Sequence, residues 1–251
     1  MDINKKQSMD PYIAEILGAF IGDGWIQSDQ KALYVVGNLT EDKDYFDLFL
    51  APLFSRCFNS VIPKKFPYWK VYGIGIYKKN IIENALNLGF QKGNKSLTVK
   101  IPQQYIKSKN KEIHKSIIRG IFDTDGCFWC ERSRAKTSTI WKQTHRYHPE
   151  LCITSCSKEL LNQICKLLDN LDIESKISQK SKKGFKHGRN INDSFVLRIR
   201  KINEIKKWFK IIGTNNPKHK TKYLVWEKLG HLPPYTTLEE RKLFLRGDYS
   251  F

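Results

Sequence analysis

Apolar residues recur at helical spacing in two stretches of the chain, with alternating or short apolar runs between them. In residues 12–24 (YIAEILGAFIGDG), Ile13, Ile16, Leu17, Phe20 and Ile21 flank a row of small residues, Ala14, Gly18 and Gly22. In residues 114–126 (HKSIIRGIFDTDG), Ile117, Ile118, Ile121 and Phe122 flank the equivalent row, Ser116, Gly120 and Thr124. Residues four apart share one face of a helix, so each stretch predicts a largely buried helix carrying a narrow stripe of small side chains. The pattern repeats at an offset of 102 residues, which marks an internal duplication. Stripes of this kind let two backbones come closer than ordinary helix packing allows. The economical arrangement has the two stripes meeting, with both helix ends side by side.

The signals after each helix come in the same order. Residues 25–27 and 33–36 read as strands, 44–58 as a helix, 61–65 and 71–77 as strands, and 80–88 as a helix. In the second half the series is 127–131, 151–154, helix 158–171, strands 173–179 and 195–200, and helix 203–211. The fold class is therefore α+β, with two pseudo-symmetric αββαββα halves and antiparallel sheets. The expected organisation is an N-terminal extension (1–10), a first subdomain (11–107), a short polar linker (108–112), a second subdomain (113–222) and a C-terminal extension (223–251), helical around 238–245. Residues 132–150 and 180–194 read as long basic hairpin loops.

Lys and Arg number 44 against 25 Asp and Glu, a formal charge of +19, while hydrophobic content stays at 40%. That much apolar surface argues against disorder, and the positive excess points to a polyanionic partner through counterion release. With no run of 18 apolar residues and no signal peptide in view, the expectation is an intracellular protein without membrane contact, in cytoplasm, nucleoid or an organelle matrix. The six cysteines then read as reduced thiols. A zinc site from Cys127, Cys130, Cys152 and Cys156 is disfavoured, because residues three apart on a strand face opposite ways.

Asp23 and Asp125 close the two helices, immediately before Gly24 and Gly126, which suit a left-handed helix-ending position. Each acid stands at the negative end of a helix dipole, and two such acids close together repel. A divalent cation reverses both penalties. The free carbonyls of Gly22 and Thr124 are further oxygen donors, and hard ions such as Mg²⁺, with Mn²⁺ as a substitute, take carboxylate, carbonyl, water and phosphate oxygens together. Metal-assisted phosphodiester hydrolysis, one ion activating water and another stabilising the leaving oxygen, is the chemistry such a site performs.

The segments ILGAFIGDG (16–24) and IRGIFDTDG (118–126) resemble the paired motifs of the double-motif LAGLIDADG homing endonucleases, and the likeness extends over about residues 10–222. The resemblance implies a monomeric, intron-encoded enzyme that cuts double-stranded DNA at a long specific site, using two or more divalent ions. It implies a saddle of two sheets astride the major groove. It also implies that Asp23 and Asp125 are the essential acids, with the carbonyls of Gly22 and Thr124 beside them as metal donors. The first motif departs at Ile21, where the second keeps Asp123; that position is structural in the family.

By the same resemblance, Asn38 and Ser155 would order water near the metals, with Thr40 competing for the first place. One lysine per half would stand near the scissile phosphates. Lys95 and Lys100 are candidates in the first half and Lys218, Lys220 and Lys222 in the second, with Lys100 and Lys220 favoured. Base readers are expected among outward strand and hairpin residues, where Arg suits guanine and Gln suits adenine. These are Gln27, Lys70, Arg132, Arg134, Lys142, Gln143, Lys182, Lys183, Arg198 and Arg200. The alternatives are an RNA maturase acting on intron RNA and a non-cleaving DNA-binding regulator of the same fold.

Overall fold

The computed structural model describes residues 10–131, 134–135, 142–143, 148–186 and 188–250, with the backbone alone at 131, 134–135, 142–143, 186 and 189. The first motif forms helix α1 (Pro11–Asp23), opened by the Asp10 side chain accepting the Tyr12 N–H at 2.8 Å and by Pro11, whose missing N–H costs nothing there. Strands β1 (Gly24–Ile26) and β2 (Leu33–Asn38) follow. Helix α2 covers residues 43–58, with a π-helical stretch Phe46–Leu50 inside it. Then come β3 (Lys64–Phe66), β4 (Val71–Ile76), α3 (Lys79–Asn87) and the short α4 (Gln103–Ile106).

The second half repeats the series. Helix α5 (Lys111–Asp125) is capped by Asn110 and leads into β5 (Gly126–Glu131). The ribbon β6 (Arg134–Ala135) and β7 (Lys142–Gln143) precedes β8 (His148–Ser155), α6 (Lys158–Asp169) and β9 (Lys176–Ser181). A hairpin of β10 (Gly184–Lys186) and β11 (Arg189–Ile191), then β12 (Ser194–Ile199) and α7 (Ile202–Ile211), complete the repeat. Both main sheets are antiparallel and in matching order, β1-β2-β4-β3 and β5-β8-β12-β9. That shared order is the structural signature of the duplication.

Three local outcomes differ from the sequence pattern. Strand β3 starts at Lys64 rather than 61, because Val61 exchanges hydrogen bonds with the Ser55 hydroxyl (2.9 and 3.2 Å) and Pro63 has no N–H to donate. Helix α6 ends at Asp169, and Asp172 takes a left-handed φ of 57° that turns the chain towards the sheet. Helix α8 (Pro217–Leu229) was not anticipated and runs through residue 222, where the second subdomain was expected to end. Its signals were in the sequence: Asn216 caps the Lys218 N–H at 3.0 Å, Pro217 opens the helix and Gly230 closes it with φ 74°.

Helix α9 (Leu238–Arg246) packs on α8 through Arg241, which is almost wholly buried with its Nε 3.0 Å from the Thr221 hydroxyl. Lys242 pairs with Asp44 of α2, tying the C-terminal helices to the first half. The segment between the halves is docked on the second one: Ile101 N–H donates to Gln163 at 2.7 Å and Val99 carbonyl accepts from Ser157 at 2.7 Å. This docking fixes the backbone just after Lys95. Among the described residues no helix is long and apolar enough to cross a membrane.

Helices α1 and α5 run through the middle of one continuous core shared by both halves. Their stripes meet. A Cβ added at Gly18 would lie 2.3 Å from the Ile117 carbonyl oxygen, and one at Gly120 would lie 2.2 Å from that of Glu15. Nothing larger than hydrogen fits where backbone faces backbone.

Candidate active site at the ends of the paired helices

The close contact continues to the last turn, where a Cβ on Gly22 would sit 2.1 Å from the Thr124 hydroxyl and 3.4 Å from the Asp125 carboxyl carbon. Thr124 turns its hydroxyl back onto its own helix, donating to Gly120 and Ile121 carbonyls at 3.0 and 3.1 Å. The two helix ends, and with them Asp23 and Asp125, are thereby brought side by side. Gly24 and Gly126 end the helices in extended backbone (φ −98° and −82°), not in the left-handed conformation expected of them. The reason for glycine is crowding. A Cβ would come within 2.3 Å of the Phe20 ring at Gly24 and 2.1 Å of the Phe122 ring at Gly126.

Burial raises the Asp23 carboxyl to about 7, and the nearby charges of Asp125 and Asp42 push the same way, while Lys218 and Lys95 oppose them. Asp125, exposed along a cleft wall, is raised by the protein around it and drawn down by Lys95. Burial lowers Lys95 to about 8 against the pull of both acids. The three charges are thus coupled to one another, with Asp23 and Lys95 the more desolvated.

A cleft of about 870 Å³ opens at this point, lined by Gly22, Asp125, Lys95, Gln27 and Ser155 among others. It brings together the first-half backbone, the second-half acid and a hydroxyl from β8. Lys95 Nζ donates to the Ile21 carbonyl and, at 3.1 Å, to that of Gly22. Lys95, rather than the favoured Lys100, is therefore the first-half lysine beside the acids; Lys100 is solvent-exposed. The approach of Lys95 is set by the turn before it, where Gly93 is left-handed (φ 73°) and its N–H is held by the Ile26 carbonyl at 2.9 Å.

The other side is built differently. Asn216 Nδ2 donates to the Asp123 carbonyl at 2.8 Å, as Lys95 does at Ile21, and to Asp42 at 2.9 Å. Lys218 Nζ pairs with the same Asp42 oxygen at 2.7 Å. Lys218 and Lys222 lie one turn apart on α8, and burial lowers the ammonium of Lys222. Lys220, the favoured second-half lysine, projects from the opposite side of that helix and is exposed. Asp42, which the sequence reading did not single out, is the buried acid that organises this side.

Asn38 does not enter the cleft. Its side-chain oxygen accepts from the N–H groups of Thr40 (2.9 Å) and Glu41 (3.0 Å) and from the Thr40 hydroxyl (3.0 Å), capping a strand end. Strand register explains the asymmetry. Gly24 pairs with Val35 and Gly126 with Ile153, so the counterpart of Ser155 is Gly37, not Asn38. Asp123 is buried and accepts from the Thr214 hydroxyl and from the Asn215 N–H at 2.9 Å, a structural role that Ile21 replaces with apolar packing.

Of the expected base readers, Gln27 lines the cleft, Lys70 is exposed in a left-handed turn (φ 55°), and Lys182 and Lys183 are exposed before the β10–β11 hairpin. Arg198 and Arg200 both pair with Glu150, at 3.0 and 2.5 Å, and Glu150 is only 3% exposed. Arg132 lies outside the described residues, as do the side chains of Arg134, Lys142 and Gln143; in backbone, Arg134 pairs with Gln143.

Residues 112–213 match the model of the LAGLIDADG-like domain. Among solved structures, mesophilic variants of the homing endonuclease I-DmoI align with 18% identity and a TM-score of 0.52, over 82% of this chain and 97% of theirs. I-DmoI in complex with DNA and Ca aligns with 18% identity and a TM-score of 0.51, over 80% of this chain and 88% of that one. The I-LtrWI LAGLIDADG homing endonuclease bound to target DNA aligns with 13% identity and a TM-score of 0.57, over 88% and 89% of the two chains. No curated protein sequence matches the chain. At these identities the likeness is one of fold. The chain has the α+β fold of the LAGLIDADG homing endonucleases, and residues 112–213 are a LAGLIDADG-like domain.

Proposed function

We propose that this protein is a site-specific endonuclease of double-stranded DNA that cuts with divalent ions, acting as a monomer whose two halves each serve one strand. The observation that carries the reading is the meeting of Asp23 and Asp125 at the ends of two helices in backbone contact, with Lys95 beside both. A protein that only binds gains nothing from crowded acids held against their preference for water. The charge of +19 supplies attraction to phosphate, and two four-stranded sheets offer the length of surface that a long site needs.

The residues present fit Mg²⁺, with Mn²⁺ as its substitute. The donors are all oxygen: two carboxylates and the carbonyls of Gly22 and Thr124. No group of three or more His, Cys, Asp or Glu comes together among the described residues, so water and phosphate would complete the coordination, as Mg²⁺ prefers. When bound, such ions supply Lewis-acid activation of water and neutralise charge at the leaving oxygen. Asp125 would hold its ion in the cleft beside Ser155, and Asp23 on the side of Thr124, Asp42 and Lys218. Lys95 would leave the Ile21 and Gly22 carbonyls to meet the scissile phosphate, where a compact cation offsets developing charge. Ser155 would order water with its hydroxyl.

The test is incubation of the full chain with a randomised duplex library and Mg²⁺, followed by sequencing of cut ends. A single recurrent site, cut in both strands, is the expected result. Duplex binding with no cutting moves the protein to the regulator class, and restored splicing of an intron RNA without DNA cutting moves it to the maturase class.

A further inference from the structure

The outer faces of the two sheets are chemically unlike. On the first sheet, Ile26, Leu33, Val35, Ile74 and Ile76 point into the core, so alternation turns Trp25, Tyr34 and Phe66 outward. Trp25 and Tyr34 are register partners stacked at 4.7 Å between ring centres. Trp69, on the turn between β3 and β4, meets both edge-on at 5.4 and 5.2 Å and stacks on Phe66 at 5.6 Å. Tyr77 closes the group, 5.8 Å from Tyr34.

Gly75 makes the slab possible. It is the β4 partner of Tyr34, and a Cβ there would stand 3.0 Å from the Phe66 ring and 3.1 Å from the Tyr77 oxygen. The rings therefore lie down over the stretch of β4 where Gly73 and Gly75 present no side chain on this face. Tyr34 is covered by its neighbours, and the open aromatic surface is that of Trp69, 43% exposed, and Tyr77, 54% exposed. The slab is also continuous with the catalytic cleft, because Trp25 lines both. Exposed Lys64 and Lys70 stand beside it, Lys64 Nζ lying 5.0 Å from the Tyr77 ring centre.

The second sheet carries instead Glu150 with Arg198 and Arg200, Ser178 bonded to Arg198 at 2.6 Å, and Lys180 bonded to Thr154 at 3.3 Å. Such a surface suits donor and acceptor edges of bases.

Resting on the reading of the chain as a DNA endonuclease, we propose that the aromatic slab of the first sheet reads thymine methyl groups, making one half-site of the target thymine-rich and methyl-dependent. Thymine alone presents an apolar group in the major groove. Guanine and cytosine edges pressed against rings would lose water without gaining partners. Lys64 and Lys70 would take the flanking phosphates. An isolated slab could also stack single-stranded bases, but its continuity with a two-sided cleft favours a duplex.

The experiment selects duplexes bound by the full chain from a random library without divalent ions, then replaces thymine by deoxyuridine in one half-site at a time. Loss of each contacted methyl should weaken binding about fourfold, the equivalent of about 0.8 kcal/mol per buried carbon. The expected result is a loss confined to one half-site and abolished by Trp69→Ala. Enrichment of a site whose two uridine versions bind as tightly as thymine DNA would overturn the slab assignment and leave the endonuclease reading intact. No enrichment of any duplex, or tighter capture of single-stranded RNA, would overturn both. Because the deciding substitution is in the DNA, misfolding of a variant cannot mimic it.

Discussion

Gly18 and Gly120 meet across the two motif helices so closely that a Cβ on the first would stand 3.1 Å from the Cα of the second. Everything at the candidate site depends on this contact, since it decides how near the helix ends and their acids come. Alanine ordinarily favours a helix over glycine by about 1 kcal/mol. Here the obstructing atoms are backbone, which cannot rotate away. Gly18→Ala or Gly120→Ala should therefore cost about 3 kcal/mol by overpacking, read as a lower urea midpoint at unchanged slope.

Glu15 is buried on the same interface and is held by Arg119 through two hydrogen bonds of 2.8 and 2.6 Å, with Asn215 donating to it at 2.6 Å. Removing the cation leaves a buried charge with only amide help. Arg119→Met is expected to destabilise by about 3–5 kcal/mol, whereas Lys115→Met, which breaks an exposed pair with Glu112, should cost under about 1 kcal/mol in the same assay.

Lys95 and Lys100 make a direct comparison, five residues apart in one segment. Lys95→Met should lower the cutting rate about 100-fold at saturating Mg²⁺ with duplex affinity nearly kept, the loss seen when one charge-stabilising group is removed. Lys100→Met should leave the rate within about twofold, as for an exposed charge away from the chemistry. Equal losses in the two variants would contradict the placement of Lys95.

The Asp23 carboxyl titrates at about 7 in the folded protein against 3.8 as its ordinary value. Folding therefore favours its protonated form, and the metal-free protein should lose stability as pH rises from about 4 to 7, with the full loss present above 7. Asp23→Asn removes that loss. Thermal melts in EDTA should show the variant equal to wild type at pH 4 and about 1–2 kcal/mol more stable at pH 8, below the ceiling of about 4 kcal/mol for so large a displacement. Mg²⁺ should raise the wild-type melting temperature more at pH 8 than at pH 5, because protons compete for the same oxygen.

Much of this architecture was legible in the sequence because its signals are periodic. The rows Ala14-Gly18-Gly22 and Ser116-Gly120-Thr124 predicted two helices in contact, and the repeated order of strands predicted both sheets. What the sequence did not reveal depends on tertiary neighbours. Asp42 acquires its place from Asn216 and Lys218, more than 170 residues away. Lys95 was indistinguishable from Lys100 until the docking of Val99 and Ile101 on the second half fixed the segment. Gly24 and Gly126 looked like left-handed caps because glycine suits that role; their actual constraint, a phenylalanine ring one turn back, is a packing fact. Helix α8 is a different case, since Asn216, Pro217 and Gly230 signalled it openly.

The most direct test of the central claim is strand-resolved cleavage, with Mg²⁺, of the site recovered from the library, by Asp23→Asn, Asp125→Asn and the double variant. The account predicts that the double variant binds the duplex and cuts neither strand, and that each single variant fails to make the double-strand break, cutting at most one strand. Double-strand cutting by the double variant at the wild-type rate would contradict it, because the two acids at the helix ends would then not be needed for the chemistry.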